Sequence, residues 1–131
     1  MPLTASDLVA DARGRIREIE STQFKAQCDS SGQPVLIDVR EPAEYETGYL
    51  PGAINIPRGV LEFQVDSHPA VANATDPALA HRERPVVVYC RTGGRAALSA
   101  DNLQKLGFTD VQSIQGGIEA WREAGLPIVS R

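Results

Sequence analysis

Pro85-Val86-Val87-Val88-Tyr89-Cys90-Arg91-Thr92-Gly93-Gly94-Arg95-Ala96 is the stretch on which the fold turns. Its first half is a run of β-formers without polar interruption, which suits a strand covered on both faces, as in a parallel sheet. After the glycines, Ala96, Ala97, Ala100, Leu103 and Leu106 recur at helical spacing, so a helix follows and Gly107 ends it. Asp101 and Lys105 form an i,i+4 pair expected on the other, polar side. Cys90 thereby falls at the carboxyl end of a strand, the end at which open α/β sheets bind ligands.

The same alternation extends in both directions. Upstream, Val35-Leu36-Ile37-Asp38-Val39 reads as a second central strand, and Glu41-Pro42 opens a short helix that Gly48 closes. A turn at Leu50-Pro51-Gly52-Ala53 leads to a brief strand over Ile54 to Ile56, stopped by Pro57. Nearer the start, Ser6 or Asp7 caps a helix to about Ala12, Ile16 to Ile19 alternates as a strand, and Ser21 caps a helix through about Cys28. Downstream, Val111 to Ile114 reads as a strand and Gly117 to Ala124 as a helix. Residues 58–84, with Pro69 and Pro77, read as a loop carrying one or two helical turns. Strands alternating with helices give an α/β fold with a parallel sheet, and 131 residues fit a single domain over 1–131.

Composition narrows the functions. A hydrophobic share of 42% with 23% charged residues is that of a soluble globular protein. A net charge of −4 offers no general attraction to nucleic acid or an anionic membrane surface, so any anion has to be held by a local site. No apolar run approaches the ~20 residues of a spanning helix. The first residues lack the basic start and apolar stretch of a secretion signal, so a cytoplasmic location is expected. Cys28 and Cys90, 62 residues apart in the chain, read as free thiols of a reducing compartment. His68 and His81 have no ligand spacing with a cysteine, so no metal site is expected, and no organic cofactor is required. Gly116-Gly117 lacks the Gly-x-Gly-x-x-Gly of a dinucleotide loop, and Trp121 reads as core.

The chemistry gathers at Cys90. A tight glycine loop and the positive end of the following helix present N–H groups that stabilise an anion, which favours the thiolate, the nucleophilic form of cysteine. Arg91 and Arg95 add guanidinium forks able to hold an oxyanion, and Gly93 and Gly94 let the backbone curl past Thr92 without a Cβ clash. A lone cysteine after a strand is by itself as often a small buried hydrophobe. The combination of cysteine, two arginines, glycines and a following helix favours the active reading.

Four stretches together resemble the rhodanese-like sulfurtransferases, over about residues 19–128, with 1–18 as an N-terminal extension. They are Leu36 to Pro42 with Glu44-Tyr45; Gly48 to Pro57; Cys90 to Arg95; and Gly116 to Trp121 through Gly125-Leu126-Pro127. The resemblance implies a five-stranded parallel sheet flanked by helices on both faces. It implies that Cys90 takes a sulfur from an anionic small-molecule donor such as thiosulfate, becomes a persulfide, and passes the sulfur to cyanide or a thiol. A protein persulfide is a further partner it allows. The backbone from Arg91 through Thr92, Gly93 and Gly94 to Arg95 would cradle the anion, Arg91 and Arg95 would meet the donor, and Asp38 and Arg40 would support the loop. Where family members often carry histidine, this chain has Tyr49, so a ring nitrogen is missing from that turn. Cysteine-dependent phosphatases and arsenate reductases are the enzymatic rivals. The phosphatases place five residues between cysteine and arginine, whereas four lie between Cys90 and Arg95. A non-catalytic rhodanese-like recognition module is the other alternative, although such modules commonly lack the cysteine.

Overall fold

The computed structural model describes residues 2–66 and 77–130. Pro69 and His68 lie outside the described residues. The order is α1 (Ala5–Arg13), β1 (Arg17–Ile19), α2 (Ser21–Ser31), β2 (Val35–Asp38), α3 (Pro42–Glu46), β3 (Ile54–Asn55), α4 (Leu61–Val65), β4 (Val86–Tyr89), α5 (Gly94–Lys105), β5 (Val111–Ile114) and α6 (Gly117–Glu123). Single 3-10 turns stand at Arg58–Val60 and Pro77–Leu79. The strands form one sheet in the order β1-β5-β4-β2-β3, every pair parallel, with Ile37 opposite Val88 and Val88 opposite Ser113.

The uninterrupted apolar runs are explained by burial on both faces. Along β4, Val86, Val88 and then Cys90 point into one cluster with Ile37, Leu61, Ala96, Ala100 and Leu103, under α4 and α5. Val87 and Tyr89 point the other way, onto Leu36, Phe24, Ile118 and Trp121, under α2 and α6. Burying each such side chain contributes about 1.5–3 kcal/mol, so the layered core, not local propensity, fixes the short strands. Trp121 is core as expected, with Nε1 donating to the Pro127 carbonyl at 2.7 Å and its ring tilted on Phe24. Cys28 and Cys90 are both free and belong to clusters on opposite faces of the sheet.

Several boundaries move, each for a local reason. Thr4, not Ser6 or Asp7, caps α1: its hydroxyl accepts the Asp7 N–H at 3.1 Å while the Asp7 carboxylate takes the Thr4 N–H at 2.8 Å. Helix α2 runs past Cys28 to Ser31 and stops at Gly32, whose φ of 87° suits glycine. Asp101 does not lie on a solvated side of α5. It is 5% exposed, and the Arg15 guanidinium covers both of its oxygens at 2.9 and 2.7 Å. The expected i,i+4 partner Lys105 is present, with Nζ 3.4 Å from Asp101 Oδ2, and the carboxylate is covered by a further partner 86 positions away in the chain, Arg15. Among the described residues no helix is long and apolar enough to cross a membrane.

Candidate active site

Strand β4 ends at Tyr89, and the chain turns through Cys90 to Gly93 before α5 begins. The turn needs glycine at 93, where φ is +120°, a region side chains avoid. That turn folds the Gly93 N–H back onto Cys90 Sγ at 3.1 Å. Gly93 caps α5 with no side chain, so the first-turn N–H groups of that helix are not taken by a cap. Cys90 itself is 1% exposed, so the sulfur sits beneath the loop and away from bulk water. Arg91 and Thr92 are exposed, whereas Gly94 and Arg95 are half-buried.

The loop is held from three sides. The first N–H groups of α6 go to its carbonyls: Ile118 donates to Cys90 at 2.9 Å and Glu119 to Arg91 at 3.1 Å. Gly117 makes this approach possible, since a Cβ there would stand 2.5 Å from both carbonyl oxygens. In the sequence Gly116-Gly117 carried no assigned role; its role is to let a helix end pack against the cysteine loop.

From the second side come Asp38 and Arg40, which sit next to the loop at the end of β2. Arg40 Nε donates to both Asp38 oxygens at 3.0 and 3.1 Å, and Nη2 adds bonds of 2.7 Å to Asp38 and to the Gly48 carbonyl. Burial opposes the Arg40 charge, but the Asp38 hydrogen bonds and negative charge outweigh it and raise its pKa. Asn55 Nδ2 ties the Asp38 and Arg40 carbonyls together at 3.0 and 2.9 Å. Arg40 also stands 5.9 Å over the Tyr89 ring, whose hydroxyl accepts the Leu50 N–H at 3.1 Å. Burial first, then the Asp38 charge, pushes the Tyr89 hydroxyl well above the usual tyrosine range.

The third support is Arg95. Its Nη1 and Nη2 grip the two Glu44 oxygens at 2.6 and 3.0 Å, tying α5 to α3. The Arg95 hydrogen bond is the largest cause holding the Glu44 carboxyl at about 2. A folded-state value below the ordinary 4.5 means that the pair's contribution is complete above about pH 4.5 and is lost as pH falls toward about 2. Thermal melting from pH 6 to pH 2 is therefore expected to show wild type and Glu44→Gln converging with falling pH. A difference that stays constant would show the pair to carry no such linkage. Glu44 was visible in the sequence only as part of a motif, because its partner is 51 residues away.

Arg91 points outward, with its side chain 67% exposed and Nε 3.6 Å from Glu119 Oε2. It stands at the edge of a cleft of about 490 Å³ lined by Ala43, Glu44, Thr47, Ile118 and Arg122. Tyr49 stacks on Tyr45 with ring centroids 4.1 Å apart, and its backbone bridges to Val129. His81 lies 3.6 Å from Glu83 on the surface. Of the residues singled out from the sequence, Cys90, Arg91, Thr92 and Gly93 form the loop, Gly94 and Arg95 open α5 directly after it, and Asp38 and Arg40 stand beside it at the end of β2.

The Rhodanese-like domain family matches residues 20–124. A sulfurtransferase of Allochromatium vinosum is 30% identical over 115 residues, covering 88% of this chain and 96% of that relative. Several longer curated relatives are spanned only in part, over 29%, 51% or 59% of their length. Among solved structures, a Rhodopseudomonas palustris protein described as of unknown function and a possible tyrosine phosphatase superposes with a TM-score of 0.83. It is 32% identical, over 98% of this chain and 99% of that one. The polysulfide-sulfur transferase homodimer of Wolinella succinogenes gives a TM-score of 0.71 at 30% identity, over 95% and 85% of the two chains.

Proposed function

The chain belongs to the rhodanese-like domain family, and from that premise we propose that it moves a sulfane sulfur from an anionic donor such as thiosulfate to cyanide or a thiol through a persulfide on Cys90. In the first half, the Cys90 thiolate attacks the outer sulfur of thiosulfate. A new S–S bond forms, the thiosulfate S–S bond breaks, and sulfite leaves with the electron pair. In the second half, the acceptor attacks the outer persulfide sulfur, carries it away as thiocyanate or a new persulfide, and returns the Cys90 thiolate. Electrons balance without an outside oxidant.

The observation that carries this reading is the Gly93 N–H aimed at Cys90 Sγ at 3.1 Å, inside a loop that leads straight into a helix N-terminus. Backbone N–H groups from Arg91 to Arg95 then stabilise the negative sulfur as it changes from thiolate to persulfide and back. Exclusion of bulk water from Cys90 leaves the N–H donors, unscreened by solvent, to act on the charged sulfur. Arg91 and Arg95 supply positive potential at the rim, that of Arg95 being offset by Glu44. Asp38 and Arg40 support the loop without touching substrate. Two free cysteines fit a reducing compartment such as the cytoplasm. A small-molecule donor or the persulfide of another protein meets the same chemical requirement.

A phosphatase is the second reading, because a structural relative of unknown function is described as a possible tyrosine phosphatase. Four residues between Cys90 and Arg95 make a narrower ring than the five of phosphatase loops, and a single sulfur suits it better than a tetrahedral phosphate. Incubation with thiosulfate and cyanide is expected to yield thiocyanate, and incubation with an aryl phosphate is expected to yield no phenol. Phenol release without thiocyanate would replace the first reading by the second.

A further inference from the structure

Of the two cations carried by the Cys90–Arg95 segment, Arg95 is spent on Glu44, whereas Arg91 stands 3.6 Å from Glu119, outside hydrogen-bond distance, and points into solvent. A third comes from a segment that precedes the family-matched residues 20–124. Helix α1 packs along α5, with Ala12 buried at 1% exposure. Below it, Arg15 grips the buried Asp101, and its carbonyl accepts the Gln104 side chain at 2.9 Å. This docking carries Val9 to the start of α5, where a Cβ on Gly94 would stand 3.6 Å from Val9 Cγ2. It also carries the Arg13 guanidinium onto the loop itself. A Cβ on Gly93 would come within 3.1 Å of Arg13 Nη2. Gly93 is the residue whose N–H meets the reactive sulfur. Among the described residues the carboxylate paired with Arg13 is Glu18, at 3.8 Å, too long for a hydrogen bond, and the Arg13 side chain is 45% exposed.

We infer that Arg13, contributed by the N-terminal helix, is an anion-recognising residue of the Cys90 site that selects negatively charged reactants for the sulfur. It deepens the sulfur-transfer reading and rests on it for the identity of the donor. The physical ground is simple. A guanidinium beside the loop, half in water and with no hydrogen-bond partner among the described residues, can take the sulfonate end of thiosulfate in a charge-assisted bond. Arg13 precedes residues 20–124, the part of the chain that the family model matches.

The test compares wild type, Arg13→Gln and Arg13→Lys in two assays on the full chain. One measures the rate of Cys90 alkylation by iodoacetate against iodoacetamide, read on the Cys90 peptide. Both reagents form an S–C bond and release iodide, so their ratio reports the charge near the sulfur independently of sulfur transfer. The other measures the KM for thiosulfate in thiocyanate formation. In Arg13→Gln the iodoacetate-to-iodoacetamide ratio is expected to fall several-fold, and the thiosulfate KM to rise about tenfold, the scale of one hydrogen bond to a charged group. Arg13→Lys is expected to recover most of both. An unchanged ratio in Arg13→Gln overturns the inference, and a fallen ratio with an unchanged KM overturns its extension to thiosulfate as the anion recognised. Wild type that takes no sulfur from thiosulfate, with the ratio still falling in Arg13→Gln, overturns the sulfur-transfer reading while leaving Arg13 as the anion-recognising residue.

Discussion

Asp38→Ala is expected to destabilise the fold by about 3–5 kcal/mol, the cost of leaving a buried charge without its partner. Asp38 is fully buried and Arg40 is 3% exposed, so water cannot replace the lost carboxylate. Three donor contacts from the Arg40 side chain and its own N–H, at 2.9 Å, lose their acceptor together. For a chain of this size the loss corresponds to a fall in melting temperature of about 10 to 20 °C. The damage also reaches the site, because Arg40 links the end of β2 to the Gly48 turn and shares Asn55 with Asp38. Calorimetry checks the size of the effect. The double variant Asp38→Ala/Arg40→Met is expected to recover a large part of it, since the cost lies in the orphaned cation. A single variant that melts within a degree of wild type would show that the pair does not anchor this corner of the sheet.

The second large effect concerns chemistry and leaves the fold in place. Cys90→Ser exchanges a sulfur for an oxygen in a site where the hydroxyl can accept the same Gly93 N–H, so melting is expected to change little. Thiocyanate formation is expected to fall by at least about a thousandfold, as it does when a covalent nucleophile is removed. Activity retained within tenfold of wild type would take Cys90 out of the mechanism.

How far these features could be read from the sequence depended on how locally each is determined. The strand at Val86 to Tyr89 and the helix after Gly93 were legible because periodicity and glycine placement are written in adjacent residues. The position of Cys90 followed directly from them. Long-range partners were not legible. Asp101 read as a surface residue because nothing near it announces Arg15, and Arg95 read as a free donor-facing cation because Glu44 is remote in the chain. Gly117 carried no visible reason to be glycine until the Cys90 and Arg91 carbonyls were seen against it. Residues 58–84 offered no period, and α4 within them is a five-residue helix placed by burial of Leu61 and Val65. Arg13 was invisible for the same reason as Glu44: its meaning lies in what α1 packs against.

The central claim is that a sulfur atom resides on Cys90 between two half-reactions, and mass spectrometry of the full chain after thiosulfate treatment tests it most directly. The account predicts a gain of ~32 Da on the peptide containing Cys90, removable by a reducing thiol and missing in Cys90→Ser. A Cys90 peptide of unchanged mass, or the same gain on Cys28 instead, would contradict it.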